Sequence, residues 1–301
     1  MDPSALAFDP SLARQLQRDI TGEIYKAVKC PDIKVLKEFI RFLVSLPTRR
    51  FSEIMADFDR VIEEKGVRQA SKHLLKKLTD NVKSVGKGII PEKGPAIIAS
   101  NHPGTYDGLT IISQLPREDV KIVVGANPFF RNLPNGRNFL IFATREQPDR
   151  VEVIRQSIQH LKDGGMVLIF PGGHIDPDPA ILPGAEEGIR KWSRSLAVFL
   201  KKVPQAKLIL AIASGVITKE FVNHPLPNLF KNGHERRRIV EFMQVIKQMV
   251  FRREIPLAPR VSFDVENIFD RAVDFDLSER MSSIQSQALS LLDRHLTNKW
   301  G

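Results

Sequence analysis

The stretch Pro95–Thr110, PAIIASNHPGTYDGLT, places a histidine and an aspartate just after an apolar run. The run PAIIAS does not alternate with polar residues, which is typical of a strand buried on both faces of a parallel sheet. Pro103 and Gly104 then predict a turn, and the apolar residues that follow predict a helix with Asp107 in its first turn. The stretch therefore predicts a strand–turn–helix unit that brings Asp107 close to His102.

Four further apolar runs follow along the chain: VKIVVGA, FLIFAT, MVLIFPGG and KLILAIASG. They alternate with amphipathic helices, one of which ends at the helix stop KDGG. This alternation predicts an α/β fold with a mostly parallel sheet flanked by helices. Ligands of such sheets usually bind beyond the carboxyl ends of the strands. Because SNHPGTYD and PGGHID each follow a predicted strand directly, we expect both at that edge.

The N-terminal part of the chain, from about Ser11 to Ser84, has the spacing of helices throughout. Pro47 and Gly66 mark the positions where helices are predicted to end. We therefore divide the chain into an N-terminal helical subdomain, residues 1–86, and an α/β domain with C-terminal helices, residues 87–301. The apolar stripes contain Leu12, Leu16, Ile20 and Ile24; Phe51, Ile54, Met55, Phe58, Val61 and Ile62; and Leu74, Leu75, Leu78, Val82 and Val85.

Composition limits the function classes. Forty-five lysines and arginines against thirty-five acidic residues leave a net charge of +10 in 301 residues, which favours a polyanionic partner. A membrane surface, a phosphorylated substrate or an acidic carrier protein all qualify, whereas few aromatic residues accompany the basic ones and nucleic acid is not expected. Cys30 is the only cysteine, which excludes an intramolecular disulfide. No secretion signal or membrane-spanning run is recognisable, so we expect a cytoplasmic protein that is able to associate with a membrane.

The pair His102 and Asp107 has the residue types of a general base and its orienting partner. A histidine accepts a proton near neutral pH, and an aspartate that accepts its other ring N–H fixes the tautomer. No serine or cysteine nucleophile is needed if the activated group is a hydroxyl of the substrate. Alternatively, His102 only caps the helix or satisfies backbone groups. The pattern alone leaves both interpretations open.

The motif NHPGTYD resembles the first block, His-x-x-x-x-Asp, of the glycerolphosphate and lysophospholipid acyltransferase family. NGRNFLIFATR is similar to the second block, with Arg145 at its arginine, and IFPGGH resembles the third. LILAIASG is a loose counterpart of the fourth. The four segments occur in family order between about Gly94 and Thr218.

The resemblance implies an acyltransferase that moves a fatty acyl group from acyl-CoA or acyl-carrier protein to a hydroxyl of a glycerolipid or another lipid alcohol. It implies His102 as general base and Asp107 as its partner. No metal and no cofactor beyond the acyl thioester co-substrate are expected. The candidate substrate-binding residues are Thr105, Arg145, Gly172, Gly173 and His174.

The third block departs from the family pattern. The family usually has a glutamate and then Thr-Arg, where this chain has Gly172, His174 and Ile175. FPGGH looks more like members that act on neutral glycerides. The fourth block also lacks its usual proline. We therefore expect an acceptor that is larger or less charged than glycerol 3-phosphate.

Two alternatives remain at this stage. In an extended HIDPD segment His174, Asp176 and Asp178 would share one face, as in a metal-dependent hydrolase, although Asp-Pro repeats are typical of exposed loops. The other is a non-enzymatic, basic peripheral lipid-binding protein. Membrane contact is predicted at IRFLVSLPTRRF, with Arg49 and Arg50, or at the stripe Ile239, Phe242, Met243, Ile246 and Met249 between basic clusters, unless these faces pack on a core.

Overall fold

The computed structural model describes residues 8–27, 30–79, 81–143, 147–230, 232–251, 255, 257–266 and 276–300. The strands are β1 (Lys83–Val85), β2 (Ala96–Ser100), β3 (Val120–Gly125), β4 (Leu140–Ala143), β5 (Met166–Ile169), β6 (Lys207–Ser214) and β7 (Arg260–Val265). The α-helices are α1 (Pro10–Ala27), α2 (Lys34–Leu78), α3 (Asp107–Ser113), α4 (Pro128–Arg131), α5 (Gln147–Lys162), α6 (Ala185–Arg190), α7 (Ser195–Lys202), α8 (Lys219–Val222), α9 (Gly233–Phe251) and α10 (Leu277–Thr297).

All of these strands join one sheet in the order β1-β7-β6-β2-β5-β3-β4. The five strands from β6 to β4 run parallel to one another, β7 is antiparallel to β6, and β1 is parallel to β7. The predicted α/β fold with a mostly parallel sheet and flanking helices is confirmed, and all five predicted strands form. β1 and β7 were not predicted.

Helices cover both faces of the sheet, so the strands are apolar on both sides. Successive side chains of a strand point to opposite faces. In β2, Ala96 and Ile98 therefore pack in the core beneath α1, α2, α3 and α9. Ile97 and Ala99 pack in the core beneath α5, α6, α7 and α10. This explains the unbroken apolar run that precedes the histidine motif.

The N-terminal helices bury the predicted stripes of α1 and of the middle of α2. The predicted helix end at Pro47 is wrong, because α2 continues through it. Packing on α1 compensates the hydrogen bond that proline removes, and Gln17 of α1 donates to the Ser45 carbonyl beside it. At Gly66 the helix is interrupted, with φ of 81°, and a Cβ there would lie 2.5 Å from Oε2 of Glu118.

The third apolar stripe does not stay helical to its end. α2 ends at Leu78, and Val85 lies in β1, where pairing with β7 replaces helical geometry. Val82, just before the strand, packs against the core that α1, α2 and the sheet share. The division of the chain at residue 86 stays a prediction.

Candidate active site

The histidine motif lies at the carboxyl end of β2, between its parallel neighbours β5 and β6. β2 ends at Ser100, and Asp107 is the first residue of α3. The turn between them brings His102 Nδ1 to 2.7 Å from Asp107 Oδ2. The predicted strand–turn–helix unit is therefore present, and it brings together the two residues predicted as base and partner.

Asp107 is fixed and buried, with 2% of its surface exposed. Its Oδ2 also accepts the N–H of Gly104 at 3.1 Å, and its Oδ1 accepts the N–H of Gly108. Because this carboxylate accepts from Nδ1–H, the other ring nitrogen of His102, Nε2, is left as the proton acceptor. The His102 side chain is 31% exposed, so a substrate is able to reach it.

The electrostatic surroundings make His102 more basic than an ordinary histidine. Burial lowers the pKa of His102, but the charge and hydrogen bond of Asp107 outweigh burial and raise the pKa to about 9. Glu241 and Asp176 act in the same direction as Asp107. The neutral imidazole that would accept a proton therefore becomes more populated as the pH rises toward 9.

Two further contacts hold the backbone of the motif. Asn101 is buried, and its amide group pairs with β6, donating to the Ala213 carbonyl at 2.9 Å and accepting the Ala213 N–H at 2.8 Å. The backbone N–H of His102 donates to Asp176 Oδ2 at 2.9 Å, and the Asp176 N–H donates to the His102 carbonyl at 2.7 Å. The first and third motifs are thus one hydrogen-bonded unit.

The third motif follows β5 and forms a turn next to His102. The ring of Phe170 stacks on the His102 imidazole, with centroids 4.6 Å apart. Gly173 has φ of 66°, and its N–H donates to the Phe170 carbonyl at 3.0 Å, so that N–H closes the turn. His174 is exposed and lies against His234 of α9, with ring centroids 4.5 Å apart. Of the two glycines, Gly172 is therefore the better candidate to offer an N–H to a substrate.

The carboxylates of HIDPD have structural partners. Asp178 is buried and accepts four backbone N–H groups, from Ala180, Gly215, Val216 and Ile217, at 2.9–3.2 Å. Asp176 is engaged with the His102 backbone, as described above. Within the described ranges no three His, Cys, Asp or Glu side chains are grouped so that they could hold a metal ion. The loop interpretation of HIDPD therefore fits the geometry better than a metal site.

Arg145 and Thr105 are the other two residues that were predicted to bind substrate. Arg145 lies outside the described residues. Thr105 is exposed, and its hydroxyl donates to Glu241 Oε1 of α9 at 3.0 Å. Thr105 is thus next to the candidate base, but its present partner is a carboxyl group that the sequence interpretation did not include.

The helix α9 contributes a set of site residues that the sequence interpretation missed. Its inner face carries polar side chains, each of which contacts a loop at the carboxyl edge of the sheet. They are Arg237, with Nε 2.5 Å from the Ile175 carbonyl; Glu241, beside Thr105; Gln244, bound to Val216 and Thr218; and Gln248, bound to Tyr106 and Leu78. In the sequence, only their spacing of four, three and four residues indicates that these side chains share one face of the helix.

The predicted apolar stripe of α9 lies beside this polar face. Of its members Met249 is buried, whereas Phe242 is 36% exposed. The polar face itself is the more deeply buried one, since Gln244 and Gln248 are both buried. A stripe assigned from apolar residues alone therefore misplaces the inner face of this helix.

Comparisons with known proteins add a family. The sequence model of the family described as Acyltransferase matches residues 81–259, more than half of the chain. Among solved structures, the chain resembles the crystal structure of the 1-acyl-sn-glycerophosphate (LPA) acyltransferase PlsC from Thermotoga maritima. The identity is 14%, the TM-score is 0.48, and the match covers 96% of this chain and 98% of the other. No curated protein sequence matches.

Proposed function

Because this chain belongs to the acyltransferase family, we propose that it transfers a fatty acyl group from acyl-CoA or acyl-carrier protein to a hydroxyl of a glycerolipid or another lipid alcohol. The strongest support is the pair His102–Asp107 at the carboxyl end of β2. Nδ1 of His102 is bonded to Asp107, and the partly exposed imidazole leaves Nε2 for a substrate. A residue that only capped α3 would not need a buried carboxylate on its ring nitrogen.

The proposed reaction begins with proton removal. Nε2 of His102 takes the proton of the acceptor hydroxyl as its oxygen attacks the thioester carbonyl. Asp107 stabilises the imidazolium that forms and keeps the ring in place. Collapse of the tetrahedral intermediate breaks the C–S bond, and the imidazolium returns its proton to the departing thiolate. The products are the ester and the free thiol, and His102 is neutral again.

The developing oxyanion needs hydrogen-bond donors. The N–H of Gly172 is our candidate, because the Gly173 N–H already closes the turn. A Cβ added at Gly173 would meet nothing within 4 Å, and one at Gly172 would be in ordinary contact with the Asp176 carboxylate, 3.6 Å away. His174 and Thr105 flank this turn and the base, and we propose that they line the acceptor side. Arg145 remains our candidate for a phosphate on either substrate.

The acceptor is proposed to be larger or less charged than glycerol 3-phosphate. Binding a compact dianion takes several cationic or N–H donors that converge on one phosphate. The third motif has Ile175 where the family pattern has an arginine. Arg237 of α9 contacts this position, but it already donates to the Ile175 carbonyl and to His234. A lysophospholipid, a monoacyl or diacyl glyceride, or another lipid alcohol fits these residues better.

Peripheral membrane contact is proposed for the N-terminal half of α2. Its exposed side includes Val35 at 78%, Phe42 at 77%, Phe39 and Leu43, and Arg41 on the same stretch is also exposed. Apolar side chains beside basic ones favour an anionic lipid surface. Arg50, which the sequence assigned to the same contact, instead donates to the carbonyls of Met249 and Val250 in α9. No helix in the described ranges is long and apolar enough to cross a bilayer.

Sedimentation with vesicles tests this contact. Phe42→Glu should lower binding to vesicles of anionic phospholipid several-fold, because it places a negative charge on the apolar face. The matched control is Val151→Glu on α5, which changes another exposed apolar residue, 67% against 77% for Phe42. Equal binding of the two variants would contradict the assignment to α2.

The proposed activity is tested by mass spectrometry of lipid products. The purified protein is incubated with acyl-CoA or acyl-carrier protein and a panel of acceptors: glycerol 3-phosphate, lysophospholipids, and mono- and diacylglycerols. We expect an acylated lipid and a free thiol in equal amounts. His102→Ala should fold normally and reduce acyl transfer by on the order of 10³ or more, because its role is proton removal rather than packing.

The control for this variant is His224→Ala, which removes an exposed histidine outside the site. It should keep the wild-type rate. Near-wild-type transfer by His102→Ala would refute the mechanism. If no donor and acceptor gave product, a non-enzymatic lipid-binding role would be favoured instead.

A further inference from the structure

Glu241 is a carboxyl group beside the candidate base that the proposed chemistry does not use. It lies on the inner face of α9, and its Oε1 accepts the Thr105 hydroxyl at 3.0 Å. The same oxygen would lie 3.0 Å from a Cβ added at Gly104, so the carboxyl reaches the turn between His102 and Asp107. Glu241 is only partly buried, and Thr105 is exposed, so this position is open on the acceptor side.

The carboxyl of Glu241 has hydrogen-bonding capacity that Thr105 does not fill. An ionised carboxylate offers about four lone-pair sites. Among the described residues its donor is Thr105, through the hydroxyl and the backbone N–H, which leaves about two of these sites open. A hydroxyl of a bound acceptor is therefore able to donate to the remaining sites.

The charge at this position is negative above neutral pH. Burial raises the pKa of Glu241 to about 7, while His102 and Thr105 oppose this rise. Two more carboxylates lie nearby, that of Asp107 on the His102 imidazole and that of Asp176 on the His102 backbone N–H, while the Nε of Arg237, one turn earlier on α9, donates to the Ile175 carbonyl. A phosphate brought next to Glu241 would meet a like charge and would have no proton to donate.

We propose that Glu241 determines acceptor specificity by accepting a hydrogen bond from a free hydroxyl that neighbours the acylated one, and by disfavouring a phosphate there. The favoured acceptors are then neutral lipids with adjacent hydroxyls, of the monoacylglycerol class. This inference rests on the proposed acyltransferase function. It goes beyond that function because it assigns the choice between neutral and phosphate-bearing acceptors to a residue of α9 rather than to the third motif.

The test compares two acceptors that differ only in the group next to the reacting hydroxyl. With one acyl-CoA held fixed at pH 8.5, kcat/KM is measured for a monoacylglycerol and for the lysophosphatidic acid with the same acyl chain. Glu241→Gln keeps the size and the bond to Thr105 but removes the charge. The matched control is Glu235→Gln, an exposed glutamate on the same helix.

We expect wild type and Glu235→Gln to prefer the monoacylglycerol. In Glu241→Gln the ratio of the two efficiencies should shift toward lysophosphatidic acid by about 10-fold or more, since an amide NH2 replaces the carboxylate oxygen that accepts from the hydroxyl and is able to donate to a phosphate. An unchanged ratio, or an equal fall with both acceptors, would overturn the inference. Absence of product from wild type with every acceptor would refute the proposed function itself.

The wild-type protein provides a second measurement that does not depend on the folding of a variant. The ratio of efficiencies for monoacylglycerol over lysophosphatidylcholine, whose headgroup has no hydroxyl, is measured from pH 6 to 8.5. Ionisation of His102 cancels in this ratio, because both acceptors use the same base, and the phosphodiester keeps a constant charge. The ratio should rise as Glu241 loses its proton near pH 7, and a flat ratio would overturn the inference.

Discussion

Replacing Asp107 by asparagine tests how the buried carboxylate controls the base. The asparagine would keep the size of the side chain but remove the charge that raises the pKa of His102 to about 9. Without that charge, burial opposes only the weaker effects of Glu241 and Asp176, and the pKa of His102 should fall toward the ordinary histidine value of about 6.5. At pH 7 wild-type His102 would be neutral in only about 1% of molecules, since each pH unit below the pKa reduces that fraction tenfold.

The expected loss therefore depends on pH. Where wild-type His102 is fully neutral, Asp107→Asn should lose roughly 10³–10⁴ in kcat/KM, because the amide does not stabilise the imidazolium and permits the wrong tautomer. At pH 7 the neutral fraction of His102 is about 10² times larger in the variant than in wild type. The loss in kcat/KM at this pH should therefore be only roughly 10–10². The variant should thus be least impaired at the acidic end of the range.

The assay is the initial rate of thiol release at limiting acceptor, from pH 6 to 9.5. Wild-type kcat/KM should rise about tenfold per pH unit and begin to level near pH 9, since only the neutral imidazole accepts a proton. The profile of Asp107→Asn should level near pH 6.5. The control Asp163→Asn, an exposed carboxyl at the end of α5, should keep the wild-type profile. Parallel profiles for wild type and Asp107→Asn would refute the reasoning.

Three further expectations concern metal and stability. Exhaustive EDTA treatment should leave activity intact, whereas activity lost to EDTA and restored by a divalent cation would favour a metal-dependent hydrolase. Asp178→Asn should lower the free energy of unfolding in urea by about 2–4 kcal/mol, because an amide NH2 replaces one carboxylate oxygen and leaves its two backbone N–H donors without an acceptor; a change below about 0.5 kcal/mol would contradict the assigned role. His295 is buried between Ser214 and Ser262, and burial lowers its pKa to about 4. As pH falls from 6.5 to 4, His295 binds a proton in the unfolded state but stays largely neutral in the folded state. The free energy of unfolding of wild type should therefore fall by about 3 kcal/mol more than that of His295→Gln. Equal pH dependence of their unfolding free energies would show that His295 does not titrate this way.

The parallel strands and the His102–Asp107 pair were predictable because their signals are local. An apolar run on a doubly covered strand and a proline–glycine turn both depend on a few neighbouring residues. β7 carried a readable signal as well, since Val261, Phe263 and Val265 alternate with polar residues. The middle of its polar side does not face water, because Ser262 is buried and bound to His295 of α10. That partner lies 33 positions away, and spacing within the strand gives no indication of it.

Pro47 shows a local signal that tertiary packing overrode. A proline inside a helix removes one backbone hydrogen bond, so ending the helix there was the reasonable local prediction. The buried residues of α2 begin only at Pro47, but α1 holds the preceding turns, since Tyr25 donates to the Lys37 carbonyl and Gln17 to the Ser45 carbonyl. These contacts keep the helix continuous although one backbone hydrogen bond is missing. At Gly66 no such compensation arises, because the positive φ itself is incompatible with a helix.

The polar face of α9 explains why part of the site lies beyond sequence reasoning. Glu241 is more than a hundred positions from His102, and in sequence it stands between arginines and apolar residues, as on any amphipathic surface helix. Polar residues at helical spacing normally face solvent, so the spacing alone favours the opposite orientation. The orientation is reversed here because the loops at the carboxyl edge of a parallel sheet expose N–H and carbonyl groups that strand pairing leaves unpaired. Gln244 satisfies two of them, at Val216 and Thr218, and Gln248 satisfies the carbonyl of Leu78, which the end of α2 leaves unpaired. A helix that covers such an edge has to be polar on its inner face, and a glutamate placed there lies next to the base.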